Sequence, residues 1–269
     1  MLAAKNRVRI GLALGGGFAR GIAHIGVLRA FERHGIPIHA VAGVSAGSIV
    51  AAAYAGGCTS HDIERVALSM RFRDVARWTI NRLGLAGSDR MIAFLARLLK
   101  ENRFEQMKIP CAIVATDLAT GEPVTFQGQG DAVLAIRASC SYPGLFVPVH
   151  HENRCLVDGF ISMEIPALPL REMGATHVVS VFLPTPAACS EPGSLLGVIN
   201  RCFQVMSARS AHEWRCHSDV VIEPDVAGLS WDSFASAQKL IELGEQAAEA
   251  VIPEVQGWLG VTSELALAG

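Results

Sequence analysis

Apolar residues in this chain fall into short, nearly unbroken runs, separated by glycine-rich turns and by stretches where they recur every three or four positions. Short continuous runs suit strands buried on both faces, and the three-to-four spacing suits helices packed over them. Residues 8–14, 36–42, 108–116, 155–157, 177–183 and 220–222 are runs of the first kind. Ile22, Ile25, Leu28 and Phe31 recur at helical spacing before Gly35, and an Ala-rich run over 48–55 ends at Gly56-Gly57. Residues 132–138, 195–214 and 235–259 also read as helices, the last interrupted by Pro253. Asp131 stands where it would cap the helix after it, and Thr120-Gly121 where it would turn a hairpin into Val124-Thr125-Phe126. Residues 139–144 have turn chemistry, 146–149 read as extended, and 184–192 as a loop. The opening order of strand, loop, helix, strand, turn, helix implies parallel strands, so the expected class is α/β.

One section departs from this rhythm. Residues 60–70 and 88–99 read as helices, and between them Phe72, Trp78, Ile80, Leu83 and Leu85 are interleaved with Arg71, Arg73, Arg77 and Arg82. From 71 to 103 there are eight basic residues against three acidic ones, a local +5 in a chain whose net charge is −2. The expectation is a helical, basic, cap-like insertion over 59–107 within a single domain spanning 1–269. Such a block with aromatic and aliphatic anchors suits peripheral contact with anionic lipid, and an ordinary solvated cap is the plainer reading.

Composition narrows the function classes. A 51% hydrophobic fraction over 269 residues provides for a large core, and the near-neutral charge offers nothing global to nucleic acid. The seven cysteines (58, 111, 140, 155, 189, 202 and 216) are odd in number and contain no Cys-x-x-Cys, which fits free thiols in the cytoplasm better than a disulfide framework. His212, Cys216 and His217 lie close together without a second ligand pair, so no metal is expected. The basic start (Lys5, Arg7, Arg9) runs at once into Gly15-Gly16-Gly17, without the long apolar core of a signal peptide. Residues 36–60 carry no Asp, Glu, Lys or Arg, but Pro37 and the glycines break them into strand, turn and helix rather than a membrane span.

Three stretches carry candidate chemistry. Gly43-Val44-Ser45-Ala46-Gly47 reads as a nucleophilic serine on a sharp strand-to-helix turn, its hydroxyl held at a helix N-terminus. Gly15-Gly16-Gly17-Phe18-Ala19-Arg20-Gly21 is one residue too long for a dinucleotide fingerprint. The N–H groups of Gly16, Gly17 and Phe18 read better as an oxyanion hole. Arg20 either fixes that loop through a structural salt bridge or meets an anionic head group. Asp158-Gly159 ends a strand, where α/β enzymes place catalytic acids.

Together these pieces resemble the patatin-like phospholipase family, specifically small bacterial members similar to the catalytic domain of neuropathy target esterase. Further matches are Ala115-Thr116-Asp117-Leu118-Ala119-Thr120-Gly121, Ile136-Arg137-Ala138-Ser139 with Pro143-Gly144, and Leu156-Val157-Asp158-Gly159, all in family order over roughly 8–225. Phe160 stands where the family usually has Gly or Ala, and Met163-Glu164 precedes Ile165-Pro166 where an Asn is usual; both changes fall on the expected acyl pocket. The resemblance implies a three-layer α/β/α patatin-like fold with a mostly parallel sheet. It also implies acyl-ester hydrolysis of phospholipids or lysophospholipids by a Ser45–Asp158 dyad without cofactor, with Gly15, Gly16, Gly17 and Phe18 as the oxyanion loop. Arg20, Arg73, Arg77 and Arg82 are the candidate lipid contacts, and a peripheral place at the inner membrane surface follows. A Ser…Asp…His hydrolase using His177, His212 or His217, and a lipid-binding module without turnover, are the competing readings.

Overall fold

The computed structural model describes residues 8–184 and 192–267. Lys5, Arg7, Cys189 and most of the loop expected over 184–192 lie outside the described residues. In chain order the elements are β1 (Ile10–Leu14), α1 (Ala23–Arg33), β2 (Ala40–Val44), α2 (Ala46–Ala55), α3 (Ser60–Ala67), α4 (Phe72–Val75), β3 (Arg77–Asn81), β4 (Gly84–Gly87) and α5 (Asp89–Leu98). They continue with β5 (Cys111–Asp117), β6 (Pro123–Gln127), α6 (Ala132–Ser139), β7 (Gly144–Phe146), β8 (Val149–His151), β9 (Arg154–Asp158) and α7 (Ala167–Glu172). β10 (His177–Val181), α8 (Leu195–Arg215), β11 (Val220–Ile222), α9 (Ala237–Glu249) and α10 (Ile252–Leu267) complete the described chain.

The main sheet runs β11-β10-β1-β2-β5-β9-β8, with β6 paired to β5. The ladders from β11 to β5 are parallel, and those of β6, β8 and β9 are antiparallel. Strand alternation divides the buried side chains by size. Leu12, Leu14, Val41, Ile113 and Val179 face a large core that includes residues of α1, α2 and α9. Ala13, Ala40, Ala42 and Ala112 face the other way, toward Leu170 of α7 and Trp214 of α8. Both faces are covered, which explains why the strands read as unbroken apolar runs. Asp131 caps α6 as its position suggested, its Oδ1 accepting from the N–H groups of Val133 (2.8 Å) and Leu134 (3.3 Å).

The β5 pairings position the site. Residues 112–116 of β5 bond β6, so β2 (opposite 111–114) and β9 (opposite 115–117) share the other edge. β2 runs parallel to β5 and ends with Val44 opposite Val114; β9 runs antiparallel and ends with Asp158 opposite Ala115. The two strands therefore point at each other along one edge, and the residues at their tips meet.

The segment expected to be helical over 59–107 is helical only in part. Residues 77–87 form the hairpin β3–β4, and β4 pairs with β7 in a second, three-stranded sheet. The alternation along β4 has period two, with Gly84 and Ala86 buried and Leu85 exposed between them, the spacing of a strand with one solvated face. Asn81 Oδ1 accepts the Leu83 N–H at 2.8 Å and shapes the turn. α7 was not anticipated, because Pro169 sits within it; the proline falls in the first turn, where no backbone N–H is needed.

Candidate active site

The turn after β2 is tightly constrained. Ser45 has φ +53°, ψ −127°, a region that non-glycine residues rarely enter. Bonds to its backbone hold it there. Its N–H donates to Ser139 Oγ (2.8 Å), whose own hydroxyl donates to the Val114 carbonyl (2.6 Å). Its carbonyl accepts from Ser48 Oγ (2.6 Å) and the Ser48 N–H (2.9 Å). The flanking glycines are needed for close approach: a Cβ on Gly43 would lie 2.5 Å from the Gly47 carbonyl oxygen, and one on Gly47 would enter the Leu14 carbonyl.

Ser45 Oγ donates to Asp158 Oδ2 at 2.7 Å. The other carboxylate oxygen accepts the Phe160 N–H at 3.0 Å, and the Asp158 carbonyl accepts from Thr116 Oγ1 at 2.9 Å. Asp158 is fully buried and Ser45 is 7% exposed. Burial pushes the Asp158 carboxyl up to about 7, against the opposing pull of the Ser45 and Phe160 hydrogen bonds. Among the described residues, no histidine is hydrogen-bonded to Ser45 or Asp158. His177 stacks on Trp258 (4.5 Å between centroids), and His217 lines a separate cavity of about 350 Å³ behind Phe160 and Glu164.

The glycine loop lies beside the serine. A Cβ on Gly16 would sit 3.3 Å from Ser45 Cβ and 4.0 Å from its Oγ. Among the described residues the N–H groups of Gly16, Gly17 and Phe18 are given no acceptor, whereas Ala19 N–H donates to the Trp231 carbonyl (2.9 Å). Gly15 departs from the expectation. Its N–H donates to the Val181 carbonyl (3.2 Å), so it anchors the loop to the sheet and is not available as an oxyanion donor. Phe18, at φ +51°, packs edge-on to Tyr142 (5.1 Å) and Trp231 (4.9 Å).

A cavity of about 230 Å³ opens over Ser45 and Asp158, with Leu145, Phe160, Ile165, Phe182, Leu183 and Leu196 among its walls. Arg20 reaches the same cavity, is largely buried, and donates from Nη1 to the Pro184 carbonyl at 3.2 Å, a loop-fixing contact. Arg73, Arg77 and Arg82 do not reach the cavity. They are exposed on α4 and the hairpin, with Arg77 3.9 Å from Asp89. The hairpin is nevertheless adjacent to the cavity, because β4 pairs with β7, whose Leu145 lines it. Trp78, Leu83 and Leu85 project from the hairpin exposed, as do Leu195, Val198 and Met206 from α8. The part played by Ser48 was not read from the sequence, and Ser139 was marked only as part of a matching stretch. The signal for Ser48 was its place one turn after Ser45; small hydroxyl residues elsewhere carry no such mark.

Among the described residues, no group of three or more His, Cys, Asp or Glu side chains is arranged to hold a metal ion, and no helix is long and apolar enough to cross a membrane.

The chain is similar to known proteins over most of its length. The family model for patatin-like phospholipases matches residues 12–171, a stretch that contains the glycine loop, Ser45 and Asp158. An uncharacterised NTE family protein of Mycobacterium bovis is 32% identical over 246 residues, 86% of this chain and 68% of that one. The lysophospholipase NTE1 of Mycosarcoma maydis is 34% identical over 180 residues, 64% of this chain but 9% of that much longer protein. VipD from Legionella pneumophila, a solved structure, shares the fold at a TM-score of 0.55 and 14% identity, over 93% of this chain and 67% of that one.

Proposed function

The chain belongs to the patatin-like phospholipase family, and from that premise we propose that it hydrolyses acyl esters of phospholipids or lysophospholipids through a Ser45–Asp158 dyad. The observation that carries this reading is the 2.7 Å hydrogen bond from Ser45 Oγ to a fully buried carboxylate. An ordinary carboxylate, titrating near ~3.9, is a poor base for a hydroxyl. One raised to about 7 accepts a proton far more readily and is still half ionised at neutral pH.

Asp158 Oδ2 takes the proton as Ser45 Oγ attacks the ester carbonyl, and the carbonyl oxygen becomes an anion facing the N–H groups of Gly16, Gly17 and Phe18. Loss of one such donor typically costs about 2.7–4 kcal/mol of barrier. The intermediate collapses, Asp158 returns its proton to the departing alcohol, and the acyl group remains on Ser45. Water then attacks the acyl-enzyme with Asp158 again as base, and Asp158 passes that proton to Ser45 Oγ as the fatty acid leaves. The apolar walls from Leu145 to Leu196 suit an acyl chain.

The same reading extends to the surface. The hairpin's arginines and its exposed Trp78 and Leu83 would set the cavity mouth against an anionic lipid surface. Mass spectrometry of a mixed phospholipid and lysophospholipid panel tests the activity. Wild type should release fatty acid and Ser45→Ala should not; equal release by both, or failure of a fluorophosphonate to label Ser45 in the folded protein, would overturn it.

A further inference from the structure

His24 has no part in the steps above, yet its place in the molecule is unusual. It is the second residue of α1 and is completely buried. Its Nε2 lies 2.8 Å from the Gly15 carbonyl oxygen. A carbonyl only accepts, so Nε2 carries the ring proton and donates it, leaving Nδ1 as a bare lone pair. That Nδ1 is buried with no hydrogen-bond partner. Burial holds the imidazole down to about 4, although the bond to Gly15 pulls the other way, so the ring is neutral at physiological pH. A phenylalanine or leucine would fill this core position without an orphaned polar atom. What the imidazole adds is the single bond made by its other nitrogen.

That bond acts at the point where the chain leaves β1 and enters the glycine loop. In a planar trans peptide the carbonyl of Gly15 and the N–H of Gly16 point in opposite directions, so holding one aims the other. The carbonyl is confined on a second side as well, because a Cβ on Gly47 of α2 would lie 2.6 Å from the same oxygen. Gly16, the residue so aimed, is the one whose backbone lies against the Ser45 side chain.

We propose that His24 is a positioning residue for acyl transfer: through the Gly15 carbonyl it locks the Gly15–Gly16 peptide so that the Gly16 N–H meets the oxyanion formed on Ser45. The inference rests on the hydrolase reading given above. It assigns to a neutral imidazole, remote from the reacting atoms, a role in geometry and none in proton transfer. An aimed donor acts on the tetrahedral state and barely on the bound ester, so its loss is read in kcat rather than KM.

The test uses a soluble p-nitrophenyl ester, with active enzyme counted by fluorophosphonate end-point titration. His24→Phe, which keeps ring volume and loses the donor, should lower kcat about 10–100-fold with KM within about twofold. A trifluoromethyl ketone analogue of the tetrahedral state should weaken by the same factor as kcat/KM, while inhibition by the fatty-acid product stays unchanged. Unchanged kcat, or equal weakening of analogue and product, would overturn the proposal. Should His24→Phe fail to fold, His24→Gln and His24→Met serve instead, being alike in shape and different in having an amide donor. A higher kcat for Gln supports the proposal, and equal values sink it. Ser45→Ala, run alongside, keeps the two readings apart. A wild type no better than Ser45→Ala removes the hydrolase itself, whereas an active wild type matched by His24→Phe removes only the role of His24.

Discussion

The corner around Ser45 and the β3–β4 hairpin are built in opposite ways. At the corner, the N–H, carbonyl and hydroxyl of Ser45 are each hydrogen-bonded, and so are both carboxylate oxygens and the carbonyl of Asp158. On the hairpin, Arg77 meets Asp89 only at 3.9 Å with both side chains more than half exposed, and Trp78 is 66% exposed. An over-determined geometry gives effects that are large, local and non-additive. A solvated charge gives effects that are small, nearly additive and screened by salt. The first arrangement suits bond-making at one atom, the second adhesion to a diffuse surface.

Four changes, taken in order of their expected effect on turnover, would sharpen or break this contrast. Asp158→Asn should reduce kcat about 10⁴-fold and abolish the acid limb that wild-type kcat/KM should show near pH 7, where the buried carboxyl titrates. The same variant should be more stable than wild type at pH 8. A carboxyl raised from its ordinary value stabilises the fold fully only below about pH 4, and that contribution is lost as pH rises through about 7. The ionised, buried group then opposes folding by something on the order of 4 kcal/mol. The variant's advantage in melting temperature should therefore shrink toward pH 5. A wild type more stable than Asp158→Asn at pH 8 would show that the carboxylate is better solvated than its burial implies.

Gly47→Ala comes next. Its Cβ meets rigid backbone at Leu14, so a loss of about 3 kcal/mol is expected, read as a melting point lower by roughly 6–12 °C, together with loss of activity from any protein that folds. Ser139→Ala leaves the Ser45 N–H without its acceptor. Calorimetry should show about 1–3 kcal/mol lost and kinetics about a tenfold fall in kcat as the turn relaxes. The joint change of Arg73, Arg77 and Arg82 to Ser should leave turnover of a soluble ester unaltered. Co-sedimentation with anionic vesicles should fall by up to about 100-fold at low salt, near ~1 kcal/mol per basic residue, with a smaller difference at high salt. Equal vesicle binding by this variant and wild type would remove the hairpin from membrane contact.

Much of the corner was legible in the sequence because its constraints are local. Glycines two before and two after Ser45, an apolar strand before and an Ala-rich helix after, define the turn within residues 36–55. Asp158 was legible as a strand end followed by glycine. That the two residues meet was not, since it depends on which edge of β5 each strand takes, a pairing between segments 113 positions apart. The hairpin was misread for the opposite reason. Trp78 and Ile80, and Leu83 and Leu85, recur at every second residue, but the arginines beside them drew attention to surface charge and away from that period. Gly15 shows a third limit: the glycine loop was recognisable as a unit, but only the Val181 pairing decides that its first N–H belongs to the sheet.

The shared edge of β5 has a kinetic consequence. Val44 and Asp158 stand opposite consecutive β5 residues, so the spacing between Ser45 and Asp158 is measured out by one backbone, much as marks are spaced on a ruler. Neither half can be set until β5 has zipped to both β2 and β9, and the former ladder closes the longer stretch of chain, 45–110 against 118–153. During refolding, labelling of Ser45 by an organophosphorus probe should lag behind the recovery of helical signal. Reactivity would then serve as a clock for the later of the two β5 ladders.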